Sequence, residues 1–107
     1  MPINEVTRGN ILYSVILNVT LSPASVAANT TAEQTFTIAG LALGDFVNVT
    51  KPTTQGGLGI VNSRVSAANT LAVAFSNSTG AAITPTASEV YVIGVDRPFQ
   101  NPPSAFV

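Results

Sequence analysis

The chain has 107 residues, of which 46% are hydrophobic and 8% charged, against roughly 25% charged residues in an average soluble domain. Its four basic and five acidic residues leave a net charge of −1, without the Lys and Arg clusters that bind nucleic acid. Since it has no His and no Cys, it also lacks the commonest general base, disulfides and cysteine-bound zinc.

The N-terminal part predicts an arm followed by a long strand. Residues 1–9 are polar and show no hydrophobic period, so we expect an arm. Residues 11–21 alternate, which is typical of a half-buried strand, and Pro23 ends the pattern. A signal peptide is the alternative for this apolar stretch, but its evenly spaced polar residues favour the strand. The face predicted to point inward carries Tyr13, Val15, Leu17, Val19 and Leu21.

Alternating apolar residues predict the later strands in the same way. These strands cover 31–39, 46–51, 60–66, 70–77 and 89–95, with a weaker one over 81–84. Gly, Pro, Asn and Ser lie between them, no window has a helical period, and no connection is long enough for a parallel crossover. We therefore predict an all-β fold, an antiparallel β-sandwich of the immunoglobulin-like or jelly-roll-like Greek-key type over residues 10–96.

The predicted core uses the inward residues of these strands. Its members are Val15, Leu17, Val19, Phe36, Ile38, Val47, Leu71, Val73, Phe75 and Val92. The last strand is apolar on both faces, so we predict that Tyr91 and Ile93 contact another subunit; the alternative is that this face packs inside one domain. Because a net charge near zero is also poor for keeping a monomer soluble, we predict a homo-oligomer, with a trimer first and a dimer second.

The C-terminal residues 97–107 contain three Pro and two Phe without any period. Two interpretations stay open. The tail folds over the end of its own sandwich, or it is an arm that places Phe99 and Phe106 on a neighbouring subunit, with Pro98 and Pro102 keeping it extended.

No group of residues indicates catalysis, a cofactor or a metal site. Lys51, the only lysine, precedes a proline at a predicted strand end, and the acids are scattered through the chain. The glycines of residues 55–59 resemble a phosphate-binding loop only loosely, since no helix and no Lys-Ser/Thr pair follows. Four Asn-x-Ser/Thr sequences, one of them at Asn77, are explained by the abundance of Asn and Thr. We expect a non-enzyme that binds neither nucleic acid nor membrane.

Two longer stretches resemble a known family. They are TTAEQTFTIAGLALGDFVNVTKP, residues 30–52, and GLGIVNSRVSAANTLAVAFSNSTGAAITPTASEVYVIGV, residues 57–95. Together they resemble a β-sandwich module of tailed-bacteriophage virion proteins, notably the small capsid decoration, or cement, proteins of cyanophages. The family has no catalytic motif.

The resemblance implies a structural protein that is made in the host cytoplasm and sits on the outside of the phage head. There it would bind between major capsid protein subunits, as a trimer or dimer, and brace the head. The alternative that the sequence leaves open is a non-catalytic, immunoglobulin-like adhesion or binding module of a phage tail, a fibre or a bacterial surface protein.

Overall fold

The computed structural model describes residues 9–105, which contain strands and no helix. The six strands are β1 (Ile11–Leu21), β2 (Thr30–Thr37), β3 (Phe46–Thr50), β4 (Leu58–Ala67), β5 (Thr70–Asn77) and β6 (Glu89–Pro98). The predicted bounds of β1 and β5 are confirmed, and β2, β3 and β4 differ from prediction by one or two residues at their ends. β6 continues three residues beyond its predicted end at 95. The weak strand over 81–84 is reduced to one isolated bridge between Ile83 and Val26.

The strands form two antiparallel sheets, which confirms the predicted all-β sandwich. One sheet has the order β1-β6-β3 and is called here the β6 sheet; the other has the order β2-β5-β4 and is called the β5 sheet. Only the connection from β4 to β5 joins neighbours within one sheet, while the others cross between the sheets. The crossing connections alternate the strands between layers, so the β6 sheet is assembled from strands distant in sequence, while the β5 sheet contains one hairpin of consecutive strands, β4 and β5.

The core lies between the two central strands, β5 and β6. Leu71, Val73 and Phe75 of β5 are fully buried, as are Tyr91 and Ile93 of β6. Full burial of one such side chain is worth roughly 1.5–3 kcal/mol. Five predicted core residues are buried, namely Ile38, Val47, Leu71, Val73 and Phe75. Three more are partly buried and pack against this core, namely Leu17, Val19 and Phe36.

Two predicted core residues are exposed instead. Val15 lies on β1, an edge strand with a neighbour on one side only, so its inward face is incompletely covered. Val92 alternates with the buried Tyr91 and Ile93, and therefore points to the outer side of the β6 sheet. When both faces of a strand are apolar, the alternation of its residues does not indicate which face points inward.

Asn77 organises the turn after β5 from inside the domain. Its side-chain amide nitrogen donates to the carbonyls of Val26 (3.0 Å) and Ala81 (2.9 Å). Its amide oxygen accepts from the backbone N–H and the hydroxyl of Thr79. Because this nitrogen is buried with both hydrogens donated, Asn77 is a structural residue and not an acceptor for a glycan.

Gly57 shows that the glycine-rich loop serves packing. Its φ of +84° is in the left-handed region, and a Cβ built on it would lie 2.2 Å from Cγ2 of Thr79. Its carbonyl accepts a hydrogen bond of 2.9 Å from the N–H of Ser78. The loop is therefore held against the turn that follows β5, in a way that only glycine permits.

Replacing Gly57 with Ala is expected to destabilise the domain by about 2 kcal/mol or more, because strain at φ adds to the clash with Thr79. Urea unfolding of the variant measures this loss. The double variant Gly57→Ala with Thr79→Ser removes the clashing methyl group but keeps the hydroxyl, so it should recover part of the stability. Equal stability of Gly57→Ala and the wild type would contradict this role.

Candidate association surface

Tyr91 and Ile93, predicted to contact another subunit, are buried inside the domain with 0% exposure. Ile93 pairs with Leu17 of β1 and Val49 of β3, and both buried residues belong to the same core cluster as Phe75. Burial raises the pKa of Tyr91 to about 12, and the charge of Glu89 adds to this rise. Neither side chain can reach a partner. The exposed apolar residues of β6 are instead Val90 and Val92, which alternate with them along the strand.

The C-terminal tail begins later than predicted. Pro98 still belongs to β6 and pairs with Ile11, and the N–H of Phe99 donates to the carbonyl of Asn10 at 3.0 Å. Residues 99–105, including Pro102, are all exposed, and Phe99 is 56% exposed. Phe106 lies outside the described residues. Phe99 is thus an exposed aromatic side chain at the start of β1.

The outer side of the β6 sheet carries four exposed apolar residues, which alternate with the exposed polar residues Asn18, Thr20, Asn48 and Thr50. Directly paired residues share a face, and Ile16 pairs with Gly94, which faces away from the core. Phe46 of β3 and two residues of β6 lie on the same side. We call these four residues the apolar face; their exposed fractions are Ile16 75%, Phe46 66%, Val90 46% and Val92 39%. Apolar patches exposed on a soluble domain commonly mark interaction sites.

The first half of β1 is exposed on both of its faces. Residues 11–16, with the sequence ILYSVI, are all exposed although five of the six are apolar. β1 pairs only with β6, so its other edge has no strand beside it among residues 9–105.

The outer side of the β5 sheet is different in character. Arg64 of β4 forms two hydrogen bonds of 2.8 Å with the carboxylate of Glu33 on β2, and this pair spans the central strand. Ala72 of β5, directly opposite Arg64, is completely buried as a result. Exposed threonines occupy the remaining β2 positions on this side, Thr31, Thr35 and Thr37.

An ion pair between Arg97 and Asp45 holds the end of β6. The guanidinium donates to both carboxylate oxygens at 2.7 Å, to the carbonyl of Gly40 at 2.7 Å and to the hydroxyl of Tyr13 at 2.6 Å. The Asp45 side chain is 1% exposed. The hydrogen bonds from Arg97 keep the pKa of Asp45 below its ordinary value of 3.8, and the N–H of Ala42 adds to this. Arg97 thus fastens the loop before β3 to the last strand.

Lys51 and Glu89 form a second largely buried pair, where β3 ends and β6 begins. The ammonium lies 2.9 Å from one carboxylate oxygen, and the hydroxyl of Thr53 donates to the other at 2.6 Å. This hydroxyl, followed by Lys51, lowers the pKa of Glu89 below its ordinary value of 4.5. Each of the three basic side chains within residues 9–105 is thus paired with a carboxylate. The described surface therefore offers no unpaired cation to a phosphate group.

A cavity of about 210 Å³ opens beside this second pair, between β3 and the start of β4. Lys51 lines it, but its ammonium already donates to the carbonyl and hydroxyl of Thr53 and contacts Glu89. Gln55 also lines it, and its amide bonds to backbone groups of Thr84 and Thr86. Within residues 9–105 no three His, Cys, Asp or Glu side chains come together as they would to hold a metal ion.

Acidification is expected to destabilise the domain through these two pairs. The folded pKa values of Asp45 and Glu89 lie below those of the unfolded chain, so their stabilisation is full above about pH 5. It is lost as the pH falls through the folded values. Melting temperatures measured from pH 6 downward should decrease below about pH 4, with a shallower decrease in Glu89→Gln. A constant melting temperature down to pH 2 would contradict the pairing.

The apolar face was not predicted from the sequence, although part of its signal was present. The apolar residues on both faces of 11–16 and of 90–95 are visible in the sequence. Phe46 alternates with Val47 and Val49, which point inward, and so it lies on the opposite side. What the sequence could not supply was the pairing that brings Ile16, Phe46 and Val92 to one side of one sheet.

No family model, no curated protein and no solved structure matches this chain. Within residues 9–105 there is no helix of the length and apolar character needed to cross a membrane.

Proposed function

We propose that this chain is a non-enzymatic structural protein that decorates the head of a tailed phage. It binds between major capsid protein subunits on the outside of the head and stabilises them. The observation that carries the proposal is the apolar face on a domain whose described cations are all paired. Such a surface is suited to permanent hydrophobic contact.

The apolar face has the properties of a protein-binding surface. Its members lie on three adjacent strands of a twisted sheet, so they form one rigid surface. The single acid on this side, Asp96, accepts a hydrogen bond from Ser14 across the strands. Covering the four exposed apolar side chains removes them from water, which is the main favourable contribution to most protein–protein association. A capsid subunit with a matching apolar surface is the partner we propose.

The resemblance supports the capsid as this partner. Residues 30–52 contain β2 and β3, while residues 57–95 contain β4, β5 and most of β6. The resembling stretches therefore make up the body of the sandwich, including both β3 and β6 of the apolar face. β1 and the two arms lie outside them. In this proposal the body is the decoration module, and Phe99 with Phe106 adds contacts to neighbouring subunits.

Binding to purified, expanded phage heads tests the proposal. Phe46→Asp and Val92→Asp each place an unpaired charge on the apolar face, and each should weaken binding at least tenfold. The matched control is Thr35→Asp, which adds the same charge to the outer side of the β5 sheet and should bind like the wild type. Unchanged binding of the first two variants would contradict the role of the face. Wild-type protein that ignores heads but binds bacterial cells would favour the adhesion alternative.

A further inference from the structure

β1 is an unprotected edge strand. Natural proteins block free edges with short strands, charged residues or proline. β1 has eleven residues and contains neither a charge nor a proline from Ile11 to Leu21. The other edges are shielded: β3 has only five residues, β2 carries Glu33 and β4 carries Arg64. A bulge near Leu12 is the one irregularity in β1, and it leaves residues 13–21 in regular pairing.

We propose that β1 pairs antiparallel with β1 of a second copy of this chain. The two β6 sheets then form one continuous six-stranded sheet with the order β3-β6-β1-β1-β6-β3. Antiparallel pairing of two identical strands requires a two-fold axis, so it produces a dimer and not a trimer. Of the two oligomers expected from the sequence, the edge geometry therefore selects the second.

Self-pairing is chemically consistent along the strand. With the two-fold axis at Ser14, Leu12 of each copy lies beside Ile16 of the other, and Tyr13 lies beside Val15. Apart from Ser14, which opposes itself at the axis, apolar residues oppose apolar residues from Leu12 to Ile16, and no like charges meet because β1 has none. Residues 11–16, which a single chain leaves uncovered, would thereby acquire neighbours on the free edge.

The available apolar area is smaller than that of a standard interface, so backbone pairing has to supply part of the dimer's stability. From their exposed fractions, the apolar side chains of residues 11–16 expose roughly 500–550 Å² per chain, an upper limit for the area that edge pairing covers, against about 800 Å² per partner in a standard interface. Backbone hydrogen bonds along the paired edges are made in addition to this burial.

The dimer also deepens the proposed function, and in this respect it depends on that proposal. A two-fold axis perpendicular to the sheet keeps both apolar faces on the same side. Two linked faces bind a capsid surface with a high effective concentration for the second contact. The pairing itself depends only on β1, so its failure and the failure of head binding are separate results.

Sedimentation of the purified chain at ~10 μM tests the dimer, which is expected to stay associated at that concentration. Leu12→Lys, at a 58% exposed position of β1, should raise the dimer dissociation constant at least about tenfold. Val61→Lys, at a 60% exposed position of β4, is the matched control and should leave the constant unchanged. Circular dichroism of both variants should match the wild type. A monomeric or trimeric wild type would overturn the proposal, as would equal effects of the two lysines.

A single introduced cysteine provides an independent test, because the chain has none of its own. Ser14→Cys should form an intermolecular disulfide on mild oxidation, since the two-fold axis places the two sulfur atoms opposite each other. Thr35→Cys, on the edge strand β2, should stay monomeric under the same conditions. If Ser14→Cys forms an intermolecular disulfide no faster than Thr35→Cys does, the proposed register is overturned.

Discussion

Replacing Ile93 with Asp is expected to unfold the domain and not merely to separate subunits. Ile93 is completely buried at the centre of the β6 sheet, between Leu17 and Val49. A carboxylate there has no cation beside it, and the lost apolar burial adds to the cost of desolvating the charge. We expect a loss of more than about 5 kcal/mol, which is comparable to the whole stability of a small domain.

The neighbouring residue Val92 provides the control. It lies one position away on the same strand but points outward, so Val92→Asp should leave the far-ultraviolet circular dichroism and the urea midpoint nearly unchanged. Its expected defect is in binding to heads. If Ile93→Asp folds normally while Val92→Asp unfolds, the inner and outer faces of β6 are reversed and the apolar face does not exist.

Ending the chain at Asp96 is expected to lower the melting temperature by about 10 °C or more. This truncation removes Arg97 and leaves the buried carboxylate of Asp45 without its cation, while the loop at Gly40 loses its hydrogen bond. The domain boundary predicted between residues 96 and 97 therefore divides the last strand, and the arm begins after Pro98.

Ending the chain at Pro98 is the matched truncation. It keeps the ion pair and all of β6 but removes Phe99 and the remaining tail, so thermal unfolding should resemble that of the full chain. Its binding to heads should weaken if the tail is an arm. Equal melting temperatures for the two truncated chains would show that Arg97 does not hold the end of the sandwich.

The sequence was informative wherever one face of a strand is apolar and the other polar. Period-two alternation located β1 and β5 to the residue and assigned Leu71, Val73 and Phe75 to the core. Alternation failed for β6, because residues 90–95 are apolar on both faces and the inner face depends on which strands lie beside it. The pairing with Val19, Leu17 and Val15 of β1 decides that Tyr91, Ile93 and Val95 point inward.

Contacts between distant residues account for the rest. Arg97 and Asp45 are 52 positions apart, and no local pattern indicates that the first residue of an apparent tail neutralises a buried acid. Asn77 and Gly57 resemble ordinary turn residues in the sequence, yet each is fixed by partners on other loops. The apolar face is also a property of sheet order, since it joins residues from β1, β3 and β6.

The copy number of this chain in purified virions tests the central claim most directly. Quantitative mass spectrometry against the major capsid protein should find the chain at a fixed, high ratio that repeats with the capsid lattice. Removing it, or replacing it with the Phe46→Asp variant, should give heads that lose DNA at lower temperature. Virions that lack the chain, or that carry only a few copies at the tail, would contradict a decoration function.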